Sequence, residues 1–241
     1  MSDFFHNYLS NGAFNLATRG VGPYSLALPD DQGPDYWRAT WEEVAPYTGR
    51  IEYSRRDGRA DSAGSRYYGR FCRTAESGKF ALYNTMRQGT HLKDRIASVG
   101  FRMRASSGMA LKIGIFQFNA LDAGTAEYPP SPLVRSGPPF PFWLDAKTDP
   151  VWYFGGIGFV PYLQCGAVYA PITPQWQDVG LTANMTGAYS QWAVVIWTDE
   201  QVPQTTLDIT RGWACIEARP VSWQEIPKGL EIARAAHEAE L

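Results

Sequence analysis

Histidine and cysteine are scarce in this sequence of 241 residues, which has three of each. No two histidines stand two or four positions apart, so the spacing gives no support for a metal site built on histidine pairs. The cysteines are far apart and form no C-x-x-C pair, so their spacing indicates neither a disulfide framework nor a zinc knuckle. We therefore expect reduced, mostly buried thiols, no metal and no cofactor. The cysteines are Cys72, Cys165 and Cys215.

Strong net charge and long apolar runs are also lacking. Charged residues make up 19% of the chain and the formal net charge is -2, which argues against a nucleic-acid surface and against a polyanion partner. No window approaches the roughly 18 consecutive apolar residues of a membrane span, and no basic segment followed by an apolar run marks a signal peptide. The sequence predicts a soluble protein that is made in a cytosol and does not insert into a membrane.

Signatures of catalysis are absent as well. Ser65 and Ser107 each have a neighbouring glycine but lack the flanks of a G-x-S-x-G nucleophile. Carboxylates between Asp30 and Glu43 could form a glycosidase pair, but only their separation in space decides such chemistry, and solvated loops explain such clusters far more often. Residues 122–127 could offer oxygens to calcium, yet they lack the dense spacing of a calcium loop. We predict that the chain is not an enzyme.

Aromatic and apolar residues are abundant, and they occur in short strand-like runs. The 44% apolar and 14% aromatic content suffices for a sizeable core. In the run 99–104, Val99, Phe101 and Met103 alternate with Arg102 and Arg104, as expected for an antiparallel strand with one wet face. Similar runs, each closed by Gly, Pro, Asp or Asn, recur through the second half of the chain. The pattern predicts an all-β protein, an antiparallel β-sandwich.

The order of strands and loops can be predicted in outline. Alternation over 14–18 predicts a first strand, the stretch 21–34 a loop, and 36–41 a strand, although the two tryptophans there would also fit one face of a helix. The polar stretch 55–65 predicts a hairpin tip. Seven prolines between 121 and 150 predict a long loop, because proline cannot sit inside a paired ladder. The last two strands are predicted over 205–209 and 213–217.

Three regions are predicted along the chain. Residues 1–10 form an N-terminal arm outside the core of a monomer, and residues 11–220 form the β-sandwich domain. Residues 221–241 form a tail, in which strong helix formers after Pro227 predict a short C-terminal helix. A single domain is expected because all-β sandwiches often reach this length.

Several short motifs resemble the jelly-roll domain of phage tail-fibre and virion-surface proteins. In chain order they are N-x-L-x-N-G-x-F at 7–14, R-G at 19–20, an aromatic pair at 36–37, the strand 99–104 before a glycine, T-x-x-W at 173–176, the pair of strands at 206–209 and 213–217, and I-E-A-R-P at 216–220. The sequence departs from the pattern where the proline-rich loop is inserted and where an Ala-rich helix replaces a Cys-Gln-Arg-Tyr-Tyr ending.

The resemblance implies a jelly-roll sandwich of about eight strands, like those of carbohydrate-binding modules. It implies a structural protein of a phage or phage-like particle: a fibre, a head or tail spike, or a decoration protein. Its partners would be its own copies in a homo-oligomer, other virion proteins and host cell-surface polysaccharide, bound weakly per copy and strengthened by avidity. The expected location is the virion surface, after synthesis in the bacterial host cytoplasm.

Aromatic side chains in and near loops are the candidate ligand contacts. Sugars present apolar C–H faces and hydroxyl rims, which suit a flat ring beside polar groups. The candidates are Phe142, Trp143, Trp152, Tyr153 and Tyr189. Packing against the sandwich or a neighbouring subunit is the competing interpretation for each. The tryptophans assigned to the core or an interface are Trp176, Trp192, Trp197 and Trp213.

Two other functions remain open. A bacterial glycan-binding or glycan-hydrolysing β-sandwich protein would use a carboxylate pair, and the missing secretion signal counts against it. A plain assembly protein would have no ligand other than its neighbours, and its aromatic residues would all lie at interfaces. Neighbouring genes would distinguish the virion role from the enzyme.

Overall fold

Fifteen β-strands make up the regular structure of the described residues. The computed structural model describes residues 7–9, 11–15, 17, 20–26, 31–32, 36–41, 51–61, 63–73, 79–87, 92–118, 140–142, 151–154, 158–159, 162–198 and 205–216. The strands are, in chain order, β1 (Tyr24–Leu26), β2 (Asp31–Gln32), β3 (Arg38–Trp41), β4 (Ile51–Asp57), β5 (Tyr67–Arg73), β6 (Phe80–Arg87), β7 (Arg95–Ala105), β8 (Met109–Phe118), β9 (Phe140–Phe142), β10 (Val151–Phe154), β11 (Gly158–Phe159), β12 (Tyr162–Ile172), β13 (Gln177–Met185), β14 (Gln191–Thr198) and β15 (Thr206–Cys215). The described residues contain no helix that is long and apolar enough to cross a bilayer.

The strands form three antiparallel sheets. Sheet A has the strand order β1-β4-β5-β15-β7-β13, sheet B has the order β12-β8-β14-β6-β3-β2, and the small sheet C has the order β11-β10-β9. From β5 to β15 the chain crosses between sheets A and B at each connection, apart from its excursion into sheet C. The last strand, β15, thereby lies between β5 and β7 in the middle of sheet A. The predicted antiparallel β-sandwich is confirmed.

The core lies between the facing sides of sheets A and B. On β7, Val99, Phe101 and Met103 are buried in the core cluster, while Arg102 and Arg104 on the other side are half-buried. The alternation of period two predicted for this strand is confirmed, because successive side chains of a strand point to opposite faces.

The middle of sheet B, at β8, β14 and β6, is buried on both of its faces. Ile196 of β14 and its cross-strand partner Ile113 of β8 belong to the core cluster. Trp197 and Phe116 lie on the opposite side of the sheet, and both are completely buried, with ring centroids 5.7 Å apart. The continuous apolar run of β14 is the sequence sign of a strand that is covered on both sides.

Residues 7–9 and 11–14, which we call the N-terminal clasp, bind the end of β15. The side-chain oxygen of Asn7 accepts hydrogen bonds from the backbone N–H of Leu9 at 3.0 Å and of Ala214 at 2.9 Å. The N–H of Gly212 donates to the carbonyl of Gly12 at 2.9 Å. Leu9 is completely buried in the core cluster. Part of the predicted N-terminal arm therefore belongs to the core, because β15 satisfies the polar groups of its backbone.

The start of the chain differs from the prediction. Phe14, the predicted start of the first strand, has a φ of 55°, and the described residues around it form a turn and irregular structure. The reason is that the ring of Phe14 turns inward and stacks on Trp37, with centroids 5.7 Å apart. Strands β1 and β2 form instead within the stretch predicted to be a loop, where they pair with β4 and β3.

Two predictions in the second half are also corrected. Strand β9 lies within the predicted proline-rich loop, and Pro141 stands opposite Trp152 of β10. Since β9 is an edge strand of sheet C, the missing N–H of proline is tolerated there. The two strands predicted at the end are one strand, β15, which continues through a register shift between Thr210 and Trp213. The predicted C-terminal helix lies outside the described residues, and the domain boundaries stay predictions.

Candidate functional site

One side of sheet A faces away from the core and carries polar and charged side chains; we call it the outer face. On β5, β15, β7 and β13 these side chains alternate with core residues. They are Tyr68, Arg70 and Cys72 on β5, Asp208 and Thr210 on β15, Ser98, Arg102 and Arg104 on β7, and Asp178 and Thr182 on β13. The cross-strand register brings oppositely charged side chains of neighbouring strands together.

Asp208 holds two arginines at the middle of the outer face. Its oxygens accept hydrogen bonds from Arg70 Nε at 2.8 Å and Nη2 at 2.9 Å, and from Arg104 Nε at 2.8 Å. The side chain of Asp208 is only 4% exposed, so its charge is compensated mainly by these two guanidinium groups. Three strands, β5, β15 and β7, are thereby tied together through their side chains.

The tip of the β4–β5 hairpin folds back over this cluster. Asp61 accepts hydrogen bonds from Arg104 Nη1 and from the Tyr68 hydroxyl, both at 2.9 Å, and a second one from Arg104 Nη2. The indole N–H of Trp176 donates to the backbone carbonyl of Asp61 at 3.1 Å. The guanidinium of Arg104 also lies over the Trp176 ring, 4.7 Å from its centroid. These contacts fix the hairpin tip on the outer face.

Asp61 is held in its ionised form. Burial alone would raise the pKa of this carboxyl, but hydrogen bonds from Arg104 and Tyr68 and the charges of Arg104 and Arg70 outweigh burial, so the pKa lies below its ordinary value of 3.8. The acid of a glycosidase pair must keep its proton near neutral pH, which requires a raised pKa. Asp61 is therefore unsuited to that role, and it serves as an anchor for Arg104.

Trp213 forms a half-buried shelf on the outer face. The register places Trp213 beside Gly100 of β7, which stands opposite Gly180 of β13. A Cβ atom on Gly100 would lie 2.5 Å from the indole Cε2, with Cζ2 at 2.6 Å and Nε1 at 2.7 Å. The bridging atom Cε2 is nearest, as it is when the face of a ring covers the glycine. Among the described residues, only backbone atoms lie within 4 Å of the equivalent point on the exposed Gly180.

Polar side chains flank the shelf at both ends. On one side, the hydroxyls of Ser98 and Thr182 are hydrogen-bonded at 2.8 Å. On the other, Arg102 Nη1 donates to Asp178 Oδ2 at 3.1 Å, and these side chains are 23% and 71% exposed. The outer face thus offers an aromatic ring and a side-chain-free gap, with hydrogen-bond donors and acceptors on either side.

Four of the five sequence-predicted ligand contacts lie in described segments, either in sheet C or in the β13–β14 turn. Phe142 is in β9, and Trp152 and Tyr153 are in the paired strand β10, so the fold brings these three into sheet C, although their side chains lie outside the described part of the structure. Trp143 is outside the described residues. Tyr189 is half-buried between β13 and β14, and its ring covers Gly187 of its own turn. Their role in ligand binding stays a prediction.

Two of the tryptophans that the sequence assigned to the core or an interface lie on the outer face of sheet A, outside the core. Trp176 and Trp213 are half-buried there, whereas Trp192 and Trp197 are completely buried as predicted. The sequence did contain a signal for the Trp213 shelf, because a glycine inside a strand often marks a position where a ligand or another part of the chain closely approaches the strand backbone. Gly100 and Gly180 are such glycines.

No metal centre is visible in the part of the chain that the structure describes. There, no group of three or more His, Cys, Asp or Glu side chains is placed to hold an ion. The carboxylates of the outer face contact arginines instead, as described above. The chemistry that these residues offer is hydrogen bonding, ion pairing and stacking.

No protein-family model matches the sequence, and no curated protein matches it either. Solved structures are similar in fold. The enzymatically active domain of bacteriophage CBA120 tailspike protein 4 aligns over 87% of this chain and 21% of that chain, with a TM-score of 0.51 and 7% identity. The chain has the jelly-roll β-sandwich fold. At this level of identity the likeness concerns the fold alone.

Carbohydrate-binding modules are also among the similar structures. TmCBM61, solved in complex with β-1,4-galactotriose, aligns over 88% of this chain and 99% of its own, with 13% identity and a TM-score of 0.45. The family 11 carbohydrate-binding module from Clostridium thermocellum, solved with a mixed-linked tetrasaccharide, aligns over 83% and 98%, with 8% identity and a TM-score of 0.43.

Proposed function

We propose that this chain is a non-catalytic glycan-binding protein whose ligand lies on the outer face of sheet A, at Trp213. The observation that carries the proposal is the indole lying over Gly100 beside the uncovered Gly180. A pyranose has an apolar C–H face that can stack on such a ring and hydroxyls that need partners at its rim. The Ser98–Thr182 pair and the Arg102–Asp178 pair supply those partners.

The glycan-binding site belongs, in this proposal, to a surface protein of a phage particle: a fibre, spike or decoration protein. The sequence motifs that resemble virion jelly-roll domains support this role, and a phage tailspike domain is among the structures of similar fold. Several copies on one particle would multiply a weak interaction with host polysaccharide through avidity. Light scattering on the purified chain tests the expected homo-oligomer, since a monomer at all concentrations contradicts it.

Binding to a panel of neutral and acidic bacterial surface glycans tests the function. The full chain is compared with Trp213→Ala, Thr182→Val and Trp143→Ala, and the thermal unfolding midpoint of each is recorded. We expect Trp213→Ala to weaken binding at least about tenfold, because the sugar ring loses the indole on which it stacks. Thr182→Val removes one rim hydroxyl at nearly constant shape and should weaken binding less.

The outcomes separate the two candidate sites. Loss of binding in Trp143→Ala with unchanged binding in Trp213→Ala would move the site to the proline-rich loop, as the sequence alone predicted. A wild-type chain that binds no glycan of the panel would overturn the function. A variant whose unfolding midpoint falls as steeply as its binding identifies a packing role for that residue.

A further inference from the structure

The arginines of the outer face fall into two sets. Arg70 and Arg104 are hydrogen-bonded to Asp208, and Arg104 also to Asp61, so carboxylates within 3 Å match the charges of this first set. Arg102 belongs to a second set, which lies nearer to the Trp213 shelf. Its surroundings differ in both geometry and charge.

Arg102 and Arg211 bring two guanidinium groups together beside the hairpin tip. A Cβ atom on Gly64 would lie 3.0 Å from Nη1 of Arg211 and 3.7 Å from Nε of Arg102. Nε of Arg102 is buried and has no hydrogen-bond partner among the described residues. The two nitrogens therefore lie within about 7 Å of each other, and an anion bound beside Arg102 would interact favourably with both positive charges.

The carboxylate that the structure places on Arg102 is a weak competitor. Asp178 is 71% exposed and accepts a single hydrogen bond from Arg102, at 3.1 Å. Exposed ion pairs of this kind contribute little because water and salt screen them. A ligand carboxylate that engages the planar guanidinium with two parallel hydrogen bonds can take its place.

We propose that the site at Trp213 takes an acidic sugar, a uronate, and that Arg102 together with Arg211 binds its carboxylate. This inference rests on the proposed function and names the class of its ligand. Arg102 stands two residues from Gly100 on the same face of β7, which is roughly 7 Å along the strand. A sugar ring stacked on the indole of Trp213 therefore has its substituents within reach of the guanidinium.

The charge of the whole chain does not favour unspecific binding of polyanions. The formal net charge is -2, so any preference for an acidic glycan must come from a local arrangement of arginines. A carboxylate-specific site then differs from general polyanion binding in one respect. It distinguishes a uronate from a sulfate polymer of similar charge.

The test uses the full chain and polymers that differ only in their carboxylates. Polygalacturonate and alginate are immobilised beside their carboxyl-reduced forms, with dextran sulfate and neutral β-1,4-galactan as further probes. The variants are Arg102→Gln, Trp213→Ala and, as a control with the same loss of charge on the exposed hairpin tip, Arg66→Gln. Binding is measured by interferometry at low and at physiological salt.

The wild-type chain should bind at least one uronate polymer about tenfold more tightly than its reduced form, since a charge-assisted contact contributes about that much. Arg102→Gln should abolish this preference by weakening uronate binding far more than binding to the reduced polymer, whose hydroxyls still find a donor in the glutamine amide. Arg66→Gln should keep the preference. Trp213→Ala should weaken binding to both forms.

Other results overturn the inference. If the wild-type chain binds uronate and reduced polymers equally, the ligand is not specifically an acidic sugar, and the proposed glycan binding still stands. Dextran sulfate bound as tightly as the uronates, or equal losses in Arg66→Gln and Arg102→Gln, would show unspecific charge attraction. If the wild-type chain binds none of the polymers, β-1,4-galactan included, both the inference and the proposed function are contradicted.

Discussion

Gly12 and Gly212 meet backbone to backbone, although they stand at opposite ends of the described chain. The N–H of Gly212 donates to the carbonyl of Gly12 at 2.9 Å. A Cβ atom on Gly12 would lie 2.1 Å from the carbonyl oxygen of Gly212, which is closer than real side chains approach a backbone atom. This contact closes the N-terminal clasp on β15, and it leaves no space for a side chain.

Gly12→Ala should therefore destabilise the fold. The added methyl group must push the clasp away from β15, and overpacking of this kind costs roughly 1–3 kcal/mol. Gly108→Ala is the matched control, because no atom of the described residues lies within 4 Å of its Cβ position, and it should change stability by less than about 0.5 kcal/mol. Urea denaturation measures both, and equal midpoints for the two variants would contradict the packing argument.

Asp208→Asn should be far more destabilising than Asp178→Asn. Removing the Asp208 charge takes its carboxylate partner from Arg70 and one of two carboxylate partners from Arg104. These side chains keep 30% and 20% exposure, so we expect about 2–3 kcal/mol rather than the loss at a fully buried pair. Asp178 forms an exposed pair with Arg102, whose loss costs at most about 1 kcal/mol. Comparable denaturation midpoints for the two variants would mean that the Asp208 cluster does not stabilise sheet A.

Acid should weaken the anchoring of the hairpin tip through Asp61. Its pKa is lower in the folded state than the ordinary 3.8, so around that pH the folded chain binds fewer protons than the unfolded one. The stabilisation is present above 3.8 and is lost as the pH falls through the folded pKa. Comparing the thermal unfolding of the wild-type chain and of Asp61→Asn from about pH 2 to 6 isolates the contribution of the Asp61 carboxylate to stability. The difference between the two midpoints should shrink on acidification, and a constant difference would contradict the ionised state of Asp61.

Cys165 should resist alkylation in the native protein. Burial raises the pKa of its thiol to about 11, although a backbone hydrogen bond involving Thr186 lowers it in part. At pH 8 only about one thiol in a thousand is then ionised, and the thiolate is the reactive form. Iodoacetamide labelling followed by peptide mass spectrometry should show Cys165 reacting at least about tenfold more slowly in the folded chain than in urea. Equal rates would show that the thiol is not held in this environment.

The elements that the sequence predicted well are those set by neighbours in the chain. The alternation around Val99 and Phe101 directly reports the two sides of β7, and the polar stretch after β4 is the tip of the β4–β5 hairpin. Local signals suffice there because both sides of each contact lie within a few residues. The all-β class followed from such segments.

Trp213 shows why the candidate site was not predicted. Strict alternation from Ile209 would turn Trp213 toward the core, since the two differ by an even number of positions. The register shift after Thr210 adds one residue to β15 and reverses the sides, so the indole lies on the outer face. Nothing in the local residue types announces that shift, because Arg211 takes its φ of 52° in response to the strands around it.

Total charge does not report how charges are arranged locally. A net charge of -2 predicted no polyanion partner, and this value sums over the whole chain. The fold pairs Arg70 and Arg104 with carboxylates and gathers Arg102 and Arg211 at one point. Which side chains lie beside each arginine depends on cross-strand register, which composition does not contain.

The central place of β15 sets the timing of folding on the ribosome. β5 and β7 are synthesised well before β15, yet each needs β15 as its neighbour in sheet A. Asn7 meets Ala214 across 207 positions of sequence, a delay of about 10–40 s at ordinary rates of translation. During that interval the nascent chain carries open strand edges and an unprotected apolar surface. The yield of native protein should therefore depend on chaperones that hold nascent chains and on the speed of translation.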